Sequence, residues 1–319
     1  MNETRRMILS ALSSAPVSGP TLAERADISR AAVWKQIEAL RSDGFAIEST
    51  SDGYVITEVP EYGSSGAIEY GLSAPYTVEY HDTLASTNKR GRELAGEGES
   101  DVVVVAGEQT GGRGRLGREF HSPVGGVWMT IVLRPDRPPA HAPLYTLAAA
   151  VAVVDAARAL GVDAAIKWPN DVLVPETAGK TERGGHKLCG ILTEMEGEAD
   201  RVSWLIVGIG INAAIDATSL PAAATSLQSE ISKPINRGDV ARTVLTSFHE
   251  HTTDLDTVLD AWCERSATIG MEVRVETSTG VIEGTAVDVV SPGALVVETD
   301  TGRETVHSGD CEHLRPASR

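Results

Sequence analysis

The sequence predicts an α+β chain of several domains: a winged helix-turn-helix over 1–60, a linker over 61–75, a central α/β domain over 76–268 and a small SH3-like barrel over 269–319. Three observations carry this reading. Apolar residues recur at helical spacing near the N-terminus, short strand-like runs alternate with helical stretches through the middle, and the C-terminal segment is strand runs separated by Gly-containing turns. A length of 319 residues suits two or three domains, and 41% hydrophobic residues suit globular ones.

In the first unit, Met7, Ile8 and Leu12 fall on one face of a predicted helix, and Thr21-Leu22-Ala23-Glu24 reads as a capping box that opens a second helix closed by Asp27 and Ile28. Ser29 caps a third helix, 30–42, with Val33, Ile37 and Leu40 at helical spacing and Gly44 past its end. Strands 46–50 and 54–57 flank Ser51-Asp52-Gly53, a tight hairpin that would form the wing. The exposed face of the third helix carries Arg30, Lys35 and Arg41 against Glu38 alone, so Ser29, Arg30, Lys35 and Arg41 are the candidate DNA-contacting residues. Winged helices also serve as protein-contact modules.

The net charge of −17 argues against a protein that coats nucleic acid, but a local basic patch suffices to hold a duplex. Only six of the 28 basic residues are Lys, and so acidic a surface suits a salt-rich, halophilic cytoplasm that screens self-repulsion. The three cysteines are far apart and without CxxC spacing, which predicts neither a disulfide framework nor a zinc site. The longest nearly uninterrupted apolar run, 147–154, is far short of the roughly 20 residues of a membrane span. Arg5-Arg6 mimics a twin-arginine export signal, but Ser10, Ser13 and Ser14 interrupt the apolar stretch behind it, so a soluble cytoplasmic protein is expected.

In the central domain, strands are predicted at 102–106, 127–133, 165–168, 188–193 and 202–209, with a buried Ala-rich helix over 143–160 and another helix over 239–266. After the first strand comes Gly107-Glu108-Gln109-Thr110-Gly111-Gly112-Arg113-Gly114-Arg115-Leu116-Gly117-Arg118. It approaches the P-loop pattern, yet Arg113 replaces the lysine and Gly114 the metal-binding hydroxyl. Glycines interleaved with arginines still suit a loop that closes on an anion. Gly208-Ile209-Gly210-Ile211-Asn212-Ala213 fits a dinucleotide pattern, but no long helix follows and no acidic residue is placed for a ribose. In the last unit, strands 272–277, 281–290 and 294–298 are divided by turns at Ser278-Thr279-Gly280 and Ser291-Pro292-Gly293.

Five segments in order carry a resemblance: Ser86-Thr87-Asn88; Gln109 with Gly112-Arg113-Gly114-Arg115-Leu116-Gly117-Arg118; Lys167-Trp168-Pro169-Asn170-Asp171; Lys187-Leu188-Cys189-Gly190-Ile191-Leu192; and Gly208-Ile209-Gly210-Ile211-Asn212. Together they resemble the biotin protein ligases of the bifunctional type that also repress biotin operons. The resemblance implies a class II synthetase-like catalytic domain that joins biotin to ATP with Mg²⁺, forms biotinyl-adenylate, and passes biotin to a lysine of a biotin carboxyl carrier protein. It also implies operator DNA as partner and a homodimer promoted by the adenylate. By the same resemblance Lys187, Arg113 and Arg115 are catalytic. Ser86, Thr87, Asn88, Gln109, Arg113, Gly114, Arg115 and Lys187 bind biotin. Arg118, Phe120, Lys167, Asn170, Asp171 and Asn212 handle nucleotide and phosphates. Taken singly, each has a plainer reading: Ser86 a helix cap, Asn170-Asp171 a turn, Lys187 a surface lysine. Two departures stand out: Phe120 where the family has a tryptophan that stacks on adenine, and a long connection over 174–186 that reads as a disordered hairpin tip. A ligase with a silent helix-turn-helix, a lipoate or octanoate ligase relative, and a ligand-sensing repressor without catalysis are the alternatives.

Overall fold

The computed structural model describes residues 3–13, 15–176, 184–198 and 200–314. Helices α1 (Glu3–Leu12), α2 (Gly19–Arg25) and α3 (Arg30–Ser42) form one small core with the antiparallel hairpin β1 (Ala46–Thr50) and β2 (Gly53–Glu58). Two local expectations change. The inward face of α1 takes Leu9 and leaves Met7 37% exposed. The cap of α2 is Ser18, accepting from the Thr21 amide at 3.2 Å, one turn before the expected capping box; Pro20 stands in the first turn, where its missing N–H costs nothing. Ser29 does cap α3, accepting from the Ala32 amide at 3.1 Å, and Gly44 leaves the helix at φ +94°.

The stretch read as a linker contains a helix, α4 (Ser65–Glu69), because Ile68 has an apolar core to enter. Glu69 is buried there, its carboxylate accepting from the Val78 amide at 2.7 Å and pairing with Arg6 of α1 at 3.0 Å. Tyr70 meets Phe45 edge-on at 6.0 Å. These contacts pin the helix-turn-helix unit to its neighbour.

The central sheet has seven strands: β3 (Thr77–Leu84), β4 (Val102–Gln109), β5 (Val127–Leu133), β6 (Ala165–Lys167), β7 (Asp171–Pro175), β8 (Gly185–Gly197) and β9 (Val202–Ile211). Their order is β3-β4-β5-β9-β8-β7-β6, with β3 and β4 parallel and every other pair antiparallel. Alternation explains why β4 reads as an unbroken apolar run: Val103 and Val105 join the core under α6 (Ala142–Ala159), while Val102 and Val104 join the cluster under α5 (Thr87–Glu97). Helix α6 is apolar enough to cross a bilayer, but it is largely buried inside this domain. β7 and β8 pair antiparallel, with Val174 opposite His186 and Pro175 opposite Gly185; the tip expected to be disordered lies, at 177–183, outside the described residues.

After α7 (Leu227–Glu230), the single helix expected over 239–266 is two, α8 (Arg237–Thr253) and α9 (Val258–Cys263). Thr252 and Thr253 turn their hydroxyls onto the backbone oxygens of Phe248 and His249, and Asp254 caps a short turn by accepting from Asp256, so local hydrogen bonds outcompete helix continuation. The last unit holds β10 (Glu272–Thr277), β11 (Gly280–Val290), β12 (Ala294–Thr299), β13 (Gly302–Val306) and β14 (Asp310–His313) in the order β13-β12-β11-β10-β14. The expected barrel is therefore an open five-stranded antiparallel sheet: among the described residues no ladder joins β13 to β14.

Candidate functional site

A cavity of about 1130 Å³ opens where β4, β8 and β9 meet the 109–122 loop, the 167–171 segment and the C-terminal sheet. Every candidate residue named outside the helix-turn-helix lines it: Ser86, Thr87, Asn88, Gln109, Arg113, Gly114, Arg115, Arg118, Phe120, Lys167, Asn170, Asp171, Lys187 and Asn212. The C-terminal unit adds Glu276, Thr277, Ser278 and 308–314, which the sequence motifs do not include.

One wall is a chain of hydrogen bonds with a fixed direction. Gln109 Oε1 accepts from the Thr87 amide at 2.8 Å and from its hydroxyl at 3.1 Å, and Gln109 Nε2 donates to Ser122 at 3.0 Å. Asn88 donates Nδ2 to the Glu194 carboxylate at 3.0 Å and accepts on Oδ1 from Thr130 at 2.7 Å. An ionised carboxylate and a backbone carbonyl can only accept, so Glu194, itself held by Arg92 at 2.9 Å, and the Leu192 carbonyl, which accepts from the same Nδ2 at 3.3 Å, together fix which way the Asn88 amide points. The single Thr130 proton is shared between Asn88 Oδ1 at 2.7 Å and the Thr87 hydroxyl at 2.8 Å, which links the two halves of the wall. Glu194, Thr130, Ser122 and Arg92 were missed from sequence; the only trace of Glu194 is its place one strand alternation beyond Leu192. Gly208 is required here, because a Cβ would come within 2.0 Å of Asn88 Oδ1.

The facing wall is cationic. Lys187 Nζ is 2.7 Å from Asp171 and 5.7 Å above the Phe120 ring. The β7–β8 register slips beside it, pairing Val172 with Cys189 and Leu173 with Lys187, so Leu188 is a bulge residue of the kind that re-aims neighbouring side chains. Arg115 donates to Asn170 at 3.2 Å and to the Gly309 carbonyl at 2.9 Å, and Arg118 pairs with Asp310 at 2.6 Å. Arg113 is exposed, and its backbone bridges to Glu119. Leu116 at the loop tip is 83% exposed at φ +56°. The amides of Asn170 and Asn212 are spent on backbone: Asn170 donates to Ile191 at 2.7 Å, and Asn212 to Thr225 at 3.0 Å. Burial pushes the Cys189 thiol well above its usual range and that of Cys311 up to about 12, so both stay protonated near neutrality. His313 is drawn down to about 4 by burial and by Lys167. Among the described residues no cluster of three His, Cys, Asp or Glu side chains forms a metal centre.

Comparison with known proteins agrees with this arrangement. Residues 81–212 match the biotin/lipoate A/B protein ligase family, 4–55 an HTH domain and 268–314 the biotin protein ligase C-terminal domain. The chain is 38% identical over 312 residues to the bifunctional ligase/repressor BirA of Bacillus subtilis, covering 93% of each chain. The chain belongs to the biotin protein ligase family. A biotin--[acetyl-CoA-carboxylase] ligase of Paracoccus denitrificans is 33% identical over 238 residues, covering 70% of this chain and 95% of its own. The biotin protein ligase of Aquifex aeolicus, solved in complex with biotin and ATP, superposes with a TM-score of 0.62 at 25% identity over 74% of this chain and 98% of the other.

Within this ligase family member, Phe120 meets Trp128 edge-on at 5.8 Å and lies over strand glycines; a Cβ at Gly210 would touch its ring at 2.6 Å and one at Gly190 at 3.0 Å. Those glycines belong to β8 and β9 themselves, which accounts for the false dinucleotide pattern: they clear room for a ring and do not turn the chain. On the helix-turn-helix of the ligase, Arg30 and Lys35 are exposed. Arg41 is not available to DNA as expected: its guanidinium donates to the Ile47 carbonyl at 2.9 Å and pairs with Glu38 at 2.6 Å, bracing the wing against α3.

Proposed function

We propose that this chain is an ATP-dependent biotin protein ligase that also represses transcription in response to biotin. The observation that carries the reading is the convergence of five separated segments on one cavity with a polar, directional wall facing a cationic one. In the first step the biotin carboxylate attacks the α-phosphorus of ATP and pyrophosphate leaves. Two anions must meet, and Lys187 with Arg113 and Arg115 supplies the positive charge that lets them. In the second step the amine of a carrier-protein lysine attacks the mixed anhydride and AMP leaves. Ser86, Thr87, Asn88 and Gln109 hold biotin's ureido group and carboxylate, Arg118 and Phe120 cover the nucleotide, and Lys167 lies at the phosphate end. Asp171, which pairs with Lys187 at 2.7 Å, would be the carboxylate to hold Mg²⁺ brought by the triphosphate once Lys187 turns to the substrate anions, a donor set that fits because Mg²⁺ takes one or two carboxylates and otherwise phosphates and water. Asn170 and Asn212 act there by cross-linking strands.

In this reading 1–60 is the DNA-binding unit, 61–75 the connection, 76–268 a class II synthetase-like catalytic domain and 269–319 an SH3-like unit whose sheet is open between β13 and β14. A cytoplasmic location, no membrane partner, a homodimer strengthened by adenylate and a halophilic surface complete the proposal. The test is pyrophosphate release with biotin and ATP, then transfer of biotin to a carrier domain, then a gel shift on the gene's upstream DNA. Faster turnover with lipoate or octanoate overturns the substrate; ligation without a shift leaves an enzyme with a silent helix-turn-helix.

A further inference from the structure

Trp34 lies on the outer face of α3 and is 55% exposed, whereas Val33, Ile37 and Leu40 of the same helix are at most 1% exposed. Tryptophan carries the largest apolar area of any side chain, and leaving half of it in water forgoes a large hydrophobic gain. The indole makes no hydrogen bond, ring stack or cation contact with any described residue. Its neighbours on the helix surface are Arg30 at i−4, Ala31 at i−3 and Lys35 alongside, all exposed, with Glu38 at i+4, half-buried. Alanine leaves one flank of the ring open, and Glu38, the acidic residue of this face, is paired with Arg41 at 2.6 Å, so the surface around the indole keeps the positive charge of Arg30 and Lys35 in a chain of net charge −17.

We propose that Trp34 is a base-reading side chain: with α3 in the major groove, Arg30 and Lys35 hold phosphates of the two strands and the indole packs on a thymine methyl at the groove floor. The proposal rests on the operator-binding reading above. A helix of this width fits the major groove, phosphate contacts set position without reading sequence, and the thymine methyl is the apolar mark that an uncharged ring can recognise. A second copy of this face is the poorer occupant, since a two-fold contact would bring Arg30 and Lys35 against their own equivalents.

The full chain, preincubated with biotin and ATP, is used to select duplexes from a randomised pool, and affinities for the selected and a scrambled duplex are measured at matched salt for wild type, Trp34→Ala and Trp34→Phe. Trp34→Ala should lose about tenfold or more on the selected duplex and change within about twofold on the scrambled one, where only phosphates count. Trp34→Phe should recover part of the loss, and biotin transfer should be unchanged in both. Replacing the contacted thymine by uracil should cost wild type about fourfold, the worth of one buried methyl, and cost Trp34→Ala nothing. Equal affinity of wild type and Trp34→Ala for the selected duplex, or an equal uracil effect in both, overturns the proposal while leaving the repressor reading standing. A wild type that selects no sequence overturns the repressor reading itself. If Trp34→Ala instead abolishes self-association in sedimentation, the indole is a protein contact and the proposal fails.

Discussion

Gly208→Ala should disable the polar wall by a route the structure allows to be followed atom by atom. The new Cβ would stand 2.0 Å from Asn88 Oδ1, 2.8 Å from its Cγ and 3.0 Å from its Nδ2, where ordinary contact begins at 3.4 Å. The whole amide must therefore retreat by more than an ångström. Three bonds are lost or strained with it, from Thr130 at 2.7 Å, to Glu194 at 3.0 Å and to the Leu192 carbonyl at 3.3 Å, and Thr130 is fully buried. Leaving buried polar groups unsatisfied costs about 1–3 kcal/mol each, so about 2–5 kcal/mol of stability should be lost. Urea unfolding of Gly208→Ala, Asn88→Ala and the double variant decides the cause. With Asn88 truncated the methyl has room, so the double variant should be more stable than the sum of the single losses predicts, by about 2 kcal/mol or more; additivity to within about 0.5 kcal/mol refutes the clash. In the same variants the biotin KM should rise further than kcat falls. Gly210→Ala is the contrast: its clash is with the end of the Phe120 ring, which can swing aside, so the fold should lose little and nucleotide binding more.

Lys187→Ala should keep the wild-type unfolding midpoint, since the lysine's ion pair with Asp171 is partly exposed, yet lose on the order of 10² to 10³ in pyrophosphate release; retention of a third of turnover would identify the wrong lysine. Amide exchange over 110–119 should slow far more with a non-hydrolysable biotinyl-adenylate than with biotin, because ordering costs roughly 1–2 kcal/mol per residue and only the adenylate brings a phosphate for Arg113 and Arg115; equal protection in the apo, biotin and adenylate states refutes it, and sedimentation run alongside tests dimerisation. His313 binds its proton near 6.5 when unfolded but only near 4 when folded, so between those pH values the unfolded chain holds more protons and stability should fall as pH falls, by about 3 kcal/mol in all; His313→Gln should flatten that part of the profile, and an unchanged slope assigns it elsewhere. The unfolding midpoint should climb with KCl from 0.1 to about 2 M as self-repulsion among the excess carboxylates is screened; a flat or falling midpoint removes the halophilic reading.

How much of this was legible in the sequence depended on how far apart the cooperating residues are. Cap Ser29, five of the seven strands of the central sheet and the lysine and arginine motifs are contiguous signals, and the structure places them where local chemistry predicts; β3 is mostly polar and β7 only five residues long, and neither is read from the sequence. The α4 helix was hidden because its Gly and Ser residues look like a connector, and only the core waiting for Ile68 makes it fold. The break after Thr253 was hidden because threonine hydroxyls compete with a helix only once their geometry is known. Arg41 looked free because the Ile47 carbonyl it braces belongs to another element.

The cavity shows the limit most sharply. Composition identifies Ser86, Thr87, Asn88 and Gln109 as groups able both to donate and to accept, and it leaves their direction undetermined. Glu194, which with the Leu192 carbonyl sets that direction for Asn88, lies 106 residues away in sequence and reaches it only because β8 and α5 are brought together by the sheet. A glutamine at 194 could present either face to Asn88 and leave its amide held by the Leu192 carbonyl alone at 3.3 Å, whereas a carboxylate accepts in every orientation. The chemistry of the site is therefore carried by motif residues, while its polarity is shared between a motif carbonyl and a carboxylate no motif includes, and the two become connected only in the folded chain.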